Sequence, residues 1–132
     1  MLTRTRPVLD PETENLVARI IGCALHVHRS LGPGYLEAVY HDAMAVELKV
    51  CDLPFQRELF IPIRYREQVL RGHKLDLVVA GKVVVELKAV ERLQPIHASQ
   101  VVAYLRASGL RVGLLMNFNT PILKSALKRI VL

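Results

Sequence analysis

The sequence predicts an α/β domain in which a mixed central β-sheet is flanked by helices. Two stretches with apolar residues at helical spacing open the chain. Runs of alternating or continuous Val, Leu and Ile follow, and one further helical stretch separates the last two of those runs. The order is α-α-β-β-β-α-β, so one strand connection passes through a helix while others are tight turns, the pattern of a mixed sheet covered by helices.

Asp10 stands at the N-cap of the first helix, Pro11 at its first position, and Glu12 and Glu14 in the positive first turn. Leu16, Ile20, Cys23, Ala24, Val27 and Leu31 recur at three- and four-residue steps, and Gly32 stops the helix. After Pro33-Gly34 a second helix runs from about Tyr35 to Lys49. Phe55 to Tyr65 reads as the first strand, with Pro62 requiring an edge position or a bulge. Arg66-Glu67-Gln68 makes a turn, Val69 to Val79 a second strand and Val83 to Val90 a third. Pro95 opens a helix that Gly109 ends, Arg111 to Asn117 is the last strand, and a short helix starts near Pro121. Residues 1–10 lack periodicity and are expected to form a basic, flexible tail, leaving 11–132 as a single domain.

A chain of 132 residues falls within the range of roughly 100–200 for one domain and is long enough to bury a core without disulfides. No apolar run approaches the ~18 residues of a membrane span, and the first twenty positions carry Arg4, Arg6, Asp10, Glu12 and Glu14 instead of a secretory signal. Cys23 and Cys51 are the only cysteines and have no paired metal spacing, so a reducing cytoplasm is the expected setting. With 18 Lys and Arg against 12 Asp and Glu, the formal charge is +6. That balance favours a polyanionic partner such as nucleic acid, although solubility alone also explains basic surface.

The segment RGHKLDLVVAGKVVVELKA carries the chemistry. Strand side chains alternate, so Glu86 and Lys88 point the same way. If Ala80-Gly81-Lys82 is a three-residue turn, Val79 pairs with Val83 and Asp76 falls opposite Glu86, with Cβ atoms about 4.5–5.5 Å apart. Lys74 then joins Asp76, Glu86 and Lys88 on one face, opposite Lys88 and available to a nucleic-acid backbone. Leu75, Leu77, Val79, Val83, Val85 and Leu87 occupy the other face. A two-residue turn would move Asp76 to the opposite face. Two carboxylates this close share a proton, pair with a cation or bind metal. Oxygen ligands without nearby His or Cys suit Mg²⁺ or Mn²⁺, and Lys88 could then orient the attacking water. A hairpin with an ordinary cross-strand salt bridge is the competing reading of the same three residues.

Asp76, Glu86 and Lys88 resemble the PD-(D/E)XK nuclease signature, with Leu75 where that pattern has Pro. Gly72-x-x-x-Asp76, Glu86-x-Lys88 and Gln100-x-x-x-Tyr104 resemble the exonuclease domains of recombination helicase–nucleases. Gly34-Tyr35-Leu36-Glu37-Ala38-Val39-Tyr40 matches the motif of the GxxExxY protein family, and HRSLGPGYLEAVY, VELKAVERLQPIH and GLRVGLLMNF are similar to blocks of that family. The resemblance spans about Glu14 to Leu132.

It implies a restriction-endonuclease-like core and a Mg²⁺- or Mn²⁺-dependent nuclease acting on nucleic acid, DNA before RNA. Asp76, Glu86, Glu37 and the Leu87 carbonyl are then candidate metal ligands, with Asp76, Glu86 and Lys88 catalytic. Gln100 and Tyr104 resemble residues that brace such a site or touch the nucleic-acid backbone. His97, on their helix stripe, and Tyr40, one turn after Glu37, are further supporting candidates. A non-cleaving nucleic-acid-binding module, or a regulatory subunit that needs a protein partner or a second copy, are the alternatives.

Overall fold

The computed structural model describes residues 9–132. The first helix, α1, spans Pro11–Leu31; the Asp10 carboxylate accepts the Thr13 N–H, and Gly32 closes the other end with φ 68°. Helix α2 spans Glu37–Val50 and α3 spans Pro95–Ser108, closed by left-handed Gly109. Strand β1 (Phe55–Ile61) leads into a small hairpin of β2 (Arg64–Tyr65) and β3 (Gln68–Val69). Then come β4 (His73–Val79), β5 (Val83–Lys88), β6 (Val112–Asn117) and β7 (Leu127–Val131). The main sheet has the order β1-β4-β5-β6-β7, and β5 and β6 are its parallel pair, joined through α3. The α/β fold with a mixed sheet between helices is as the sequence predicts.

Both faces of the sheet are covered, which explains the unbroken apolar run of β5. Val83, Val85 and Leu87 pack with Ile20, Val27, Met44 and Leu48 of α1 and α2, whereas Val84 packs with Val101 and Leu105 of α3. Gly113 permits that second layer: a Cβ there would lie 2.6 Å from Val101 Cγ1. Cys23 is buried and Cys51 half-buried, both as free thiols. Among the described residues, no helix is long and apolar enough to cross a membrane.

Four boundaries differ from the sequence reading. Leu9 is buried in the core, so the domain begins before residue 11; the rest of the expected tail, with Arg4 and Arg6, lies outside the described residues. The strand expected over Val69–Val79 is two pieces, because residues 70–72 leave the β2–β3 hairpin before β4 begins. Pro62 ends β1, which is an edge strand. The short helix expected from Pro121 is a single 3₁₀ turn, Leu123–Ala126, followed by β7, which pairs antiparallel with β6. Leu123, Leu127, Ile130 and Val131 have helical spacing, yet Leu127 and Val131 face the α1–α2 layer while Ile130 faces α3. A strand buried on two faces imitates a helix in sequence. Arg129 of β7 also forks onto the Glu14 carboxylate of α1.

Gly113→Ala is expected to cost about 1–3 kcal/mol through overpacking. In a urea-unfolding double-mutant cycle, Val101→Ala should relieve part of that cost. Strict additivity of the two substitutions would show that the close approach does not matter.

Candidate active site

β4 and β5 adopt the register of a three-residue turn, with Val79 opposite Val83 and Leu77 opposite Val85. Ala80 and Gly81 make the turn with φ of 53° and 65°. The same register carried on puts Asp76 across from Glu86, but the main-chain ladder stops at Leu77. Side chains take over there: the Leu87 N–H donates to Asp76 Oδ2 at 2.9 Å, and the Asp76 N–H donates to Glu86 Oε1 at 3.3 Å.

The pleat of β4 also breaks at Asp76. Leu59 pairs with Leu75 and Arg57 with Leu77, while Glu58, between them, has φ 51° and leaves the ladder. Leu75 consequently packs on the α3 side and Leu77 on the α1–α2 side. This corrects the expectation that Leu75, Leu77 and Val79 share one face; the break at Glu58 leaves the register unchanged on either side and turns the pleat just where Asp76 leaves the ladder. It corrects Lys74 as well. Lys74 is exposed and pairs with Phe60, and the β4–β5 ladder does not extend to set it opposite Lys88.

Helix α2 supplies a further residue, His41, outside the candidates named from the sequence. His41 Nε2 lies 3.6 Å from Asp76 Oδ2 and 3.4 Å from Glu37 Oε2. These are ion-pair distances without hydrogen-bond alignment, and the atom is buried with no hydrogen-bond partner. Glu37 thus reaches Asp76 through His41. The four-residue spacing of Glu37 and His41 on one helix face was the available signal.

Glu86 is 4% exposed. Burial, and then the Asp76 charge, push its carboxyl up from 4.5 to about 8, against the opposing pull of the Asp76 N–H and of Lys88. Tyr104 is raised too, by burial first and then by Glu86 and Asp76. Its ring stacks on His73, centroids 4.0 Å apart, which ties α3 to the start of β4. Gln100, half-buried, precedes Tyr104 by one turn of α3. His97 does something more local than contact phosphate: its Nδ1 accepts the Gln94 N–H at 2.9 Å and caps α3. Tyr40 is 0% exposed, so it cannot touch nucleic acid. Its hydroxyl donates to the Gly32 carbonyl (2.6 Å) and accepts the Tyr35 N–H (3.2 Å), and its ring stacks on Phe118, so it braces the α1–α2 connection.

The family model for the PD-(D/E)XK nuclease superfamily matches residues 14–130. The chain belongs to that superfamily. No curated protein matches it, and no solved structure does.

The residues at the centre of this PD-(D/E)XK domain fit a hard divalent cation in chemistry. The donors present are the Asp76 and Glu86 carboxylates, the Asp76 charge pushes the buried Glu86 carboxyl up, and an orphaned His41 ring nitrogen lies beside Asp76. Among the described residues, no three His, Cys, Asp or Glu side chains gather as a metal-holding group. A site of this kind rests on two carboxylates, with water and phosphate oxygens filling the other positions.

The raised Glu86 carboxyl sets the pH dependence of the metal-free protein. Below about 4.5 folded and unfolded chains both hold the proton; between about 4.5 and 8 only the folded chain does, so stability falls as pH rises through that window. Glu86→Gln should remove this dependence and stabilise the metal-free protein at pH above 8 by on the order of a few kcal/mol. Urea titrations at several pH values check it; parallel wild-type and variant curves would contradict it.

Proposed function

We propose that this PD-(D/E)XK chain is a metal-dependent nuclease that hydrolyses phosphodiester bonds of nucleic acid, DNA in the first instance, using Mg²⁺ or Mn²⁺. The observation that carries the reading is the pairing of half-buried Asp76 with buried Glu86 where β4 and β5 part, with Lys88 two residues after Glu86 on the same strand. A binding surface has no need of two mutually repelling acids beside an amine, whereas water activation does. A divalent cation held by Asp76, Glu86 and the Leu87 carbonyl would polarise the phosphodiester and acidify a bound water.

The chain's own residues do the remaining work. The Leu87 N–H fixes one oxygen of Asp76 and leaves Oδ1 free to bind. The Lys88 ammonium orients the attacking water and offsets negative charge developing on the phosphoryl oxygens. Glu37 and His41 steady Asp76 from the helix side. Tyr104, backed by His73, bounds the site on the α3 side, with Gln100 placed to support it.

The finer placement in the GxxExxY family is supported by what its three named residues do here. Gly34 has φ 110°, Glu37 is the first residue of α2 and partners His41, and Tyr40 is the buried brace. Two free cysteines suit a cytoplasmic setting. The alternative is a non-cleaving nucleic-acid-binding module or regulatory subunit with the same fold.

With Mg²⁺ or Mn²⁺ the protein is expected to cleave DNA, and a chelator to stop it. Glu86→Ala and Lys88→Ala should each lower turnover by on the order of 10²-fold or more. Calorimetry with Mn²⁺ separates their roles: affinity falls in Glu86→Ala and survives in Lys88→Ala. Wild-type protein that binds DNA or RNA yet cleaves neither with any divalent metal would establish the binding-module reading instead.

A further inference from the structure

We infer that the β2–β3 hairpin and helix α3 form a second contact for the substrate, a cleft that holds the backbone of single-stranded nucleic acid between Arg64 and Arg106. This rests on the nuclease reading of the neighbouring site and adds to it a surface that the catalytic motif does not include.

The cleft lies between the base of the hairpin (Pro62, Ile63, Arg64) and the α3 residues Ala103, Arg106 and Ala107, with a volume of about 490 Å³. Small alanines on the helix leave the space open, and a guanidinium stands on each side. Among the described residues, neither Arg64 nor Arg106 forms an ion pair with a carboxylate, whereas Arg57 and Arg129 both do. Two uncompensated guanidinium groups across an open cleft attract an anion with phosphate geometry.

Position links the cleft to the acid pair. The hairpin returns to the sheet at His73, three residues before Asp76, and His73 stacks on Tyr104, which lies between Ala103 and Arg106 in the α3 sequence. The hairpin and α3 thus tie the cleft to the start of β4, the strand that carries Asp76.

The hairpin itself is built to project side chains, not to pack them. Every residue from Arg64 to Arg71 is exposed. Its turn residues Arg66 and Glu67 have φ of 47° and 64°, a conformation for which glycine or asparagine is the usual choice. Tyr65 is 57% exposed, with the Arg66 guanidinium 5.8 Å from its ring centroid. An exposed ring among arginines suits stacking on an unpaired base, and a duplex hides its base faces. Pairing of the hairpin with a second copy would bring Arg64, Arg66 and Arg71 against their own like charges.

The test is fluorescence anisotropy of a labelled single-stranded DNA and of the matching duplex, over a range of salt and with a chelator present. Arg64→Gln/Arg106→Gln should weaken single-strand binding on the order of tenfold at low salt and reduce the salt slope by about 1.4, the loss of two phosphate contacts. Arg64→Lys/Arg106→Lys, which keeps the charge, should restore most of the slope. Tyr65→Ala should weaken the single strand by about fivefold or more and the duplex less. Double-variant affinity and slope equal to wild type would overturn this inference alone, and equal losses on both DNAs in Tyr65→Ala would overturn the single-strand assignment. Wild-type protein that binds no DNA at low salt would overturn the nuclease reading with it. A wild-type dimer that Tyr65→Ala converts to monomer, seen by light scattering, would reassign the hairpin to self-association.

Discussion

Where β4 and β5 part, the Leu87 N–H donates to the carboxylate of Asp76, at the point where the main-chain ladder has run out. The rest of the site depends on that substitution of a side chain for a main-chain acceptor. It fixes Asp76 against β5, brings the Asp76 N–H to Glu86, and holds the two acids together in a setting only 4% exposed at Glu86. The surrounding fold serves the parting of the strands. The odd-numbered turn at Ala80–Lys82 sets the register, Glu58 leaves the β1–β4 ladder beside Asp76, and packed layers cover both faces of β5.

Holding two carboxylates at a buried point opposes folding unless a proton or a cation compensates them. The metal-free chain uses the proton, which is why Glu86 is pushed up to about 8. Lys88 by itself offsets only part of the repulsion, and in the proposed function a divalent cation would take the place of the proton. His41, half-buried between Glu37 and Asp76 with a shielded, unpartnered Nε2, extends the polar centre onto α2. Unmet polarity gathers here, among the described residues, and not in the hydrophobic layers, as expected of a functional site in an otherwise consistent fold.

The helices were legible because caps and periodicity agreed: Asp10 and Gly32 bound α1, and Pro95 and Gly109 bound α3. The register of Asp76 and Glu86 was legible because the period of a strand is two, which left a single choice between odd and even turns. What stayed hidden depended on contacts distant in sequence. β7 hides behind helix-like spacing that only its position between two apolar layers resolves. The shift of Leu75 to the α3 side follows from an irregularity at Glu58 on a neighbouring strand, which no pattern within β4 announces. His41 needed the packing of α2 against the sheet to acquire a partner. His97 and Tyr40 show the converse, since motif position marked them while local hydrogen bonding decides their roles as helix cap and loop brace.

We propose that the protonated Asp76–Glu86 pair is a divalent-cation site. This is tested most directly by counting the protons released when Mn²⁺ binds at pH 7, from calorimetry in buffers of different ionisation enthalpy. The cation must displace the proton that Glu86 holds with a pKa of about 8. Release of close to one proton per metal in the wild type, lost in Glu86→Gln, is the predicted result. Mn²⁺ binding with no proton release, or proton release unchanged by Glu86→Gln, would contradict the account.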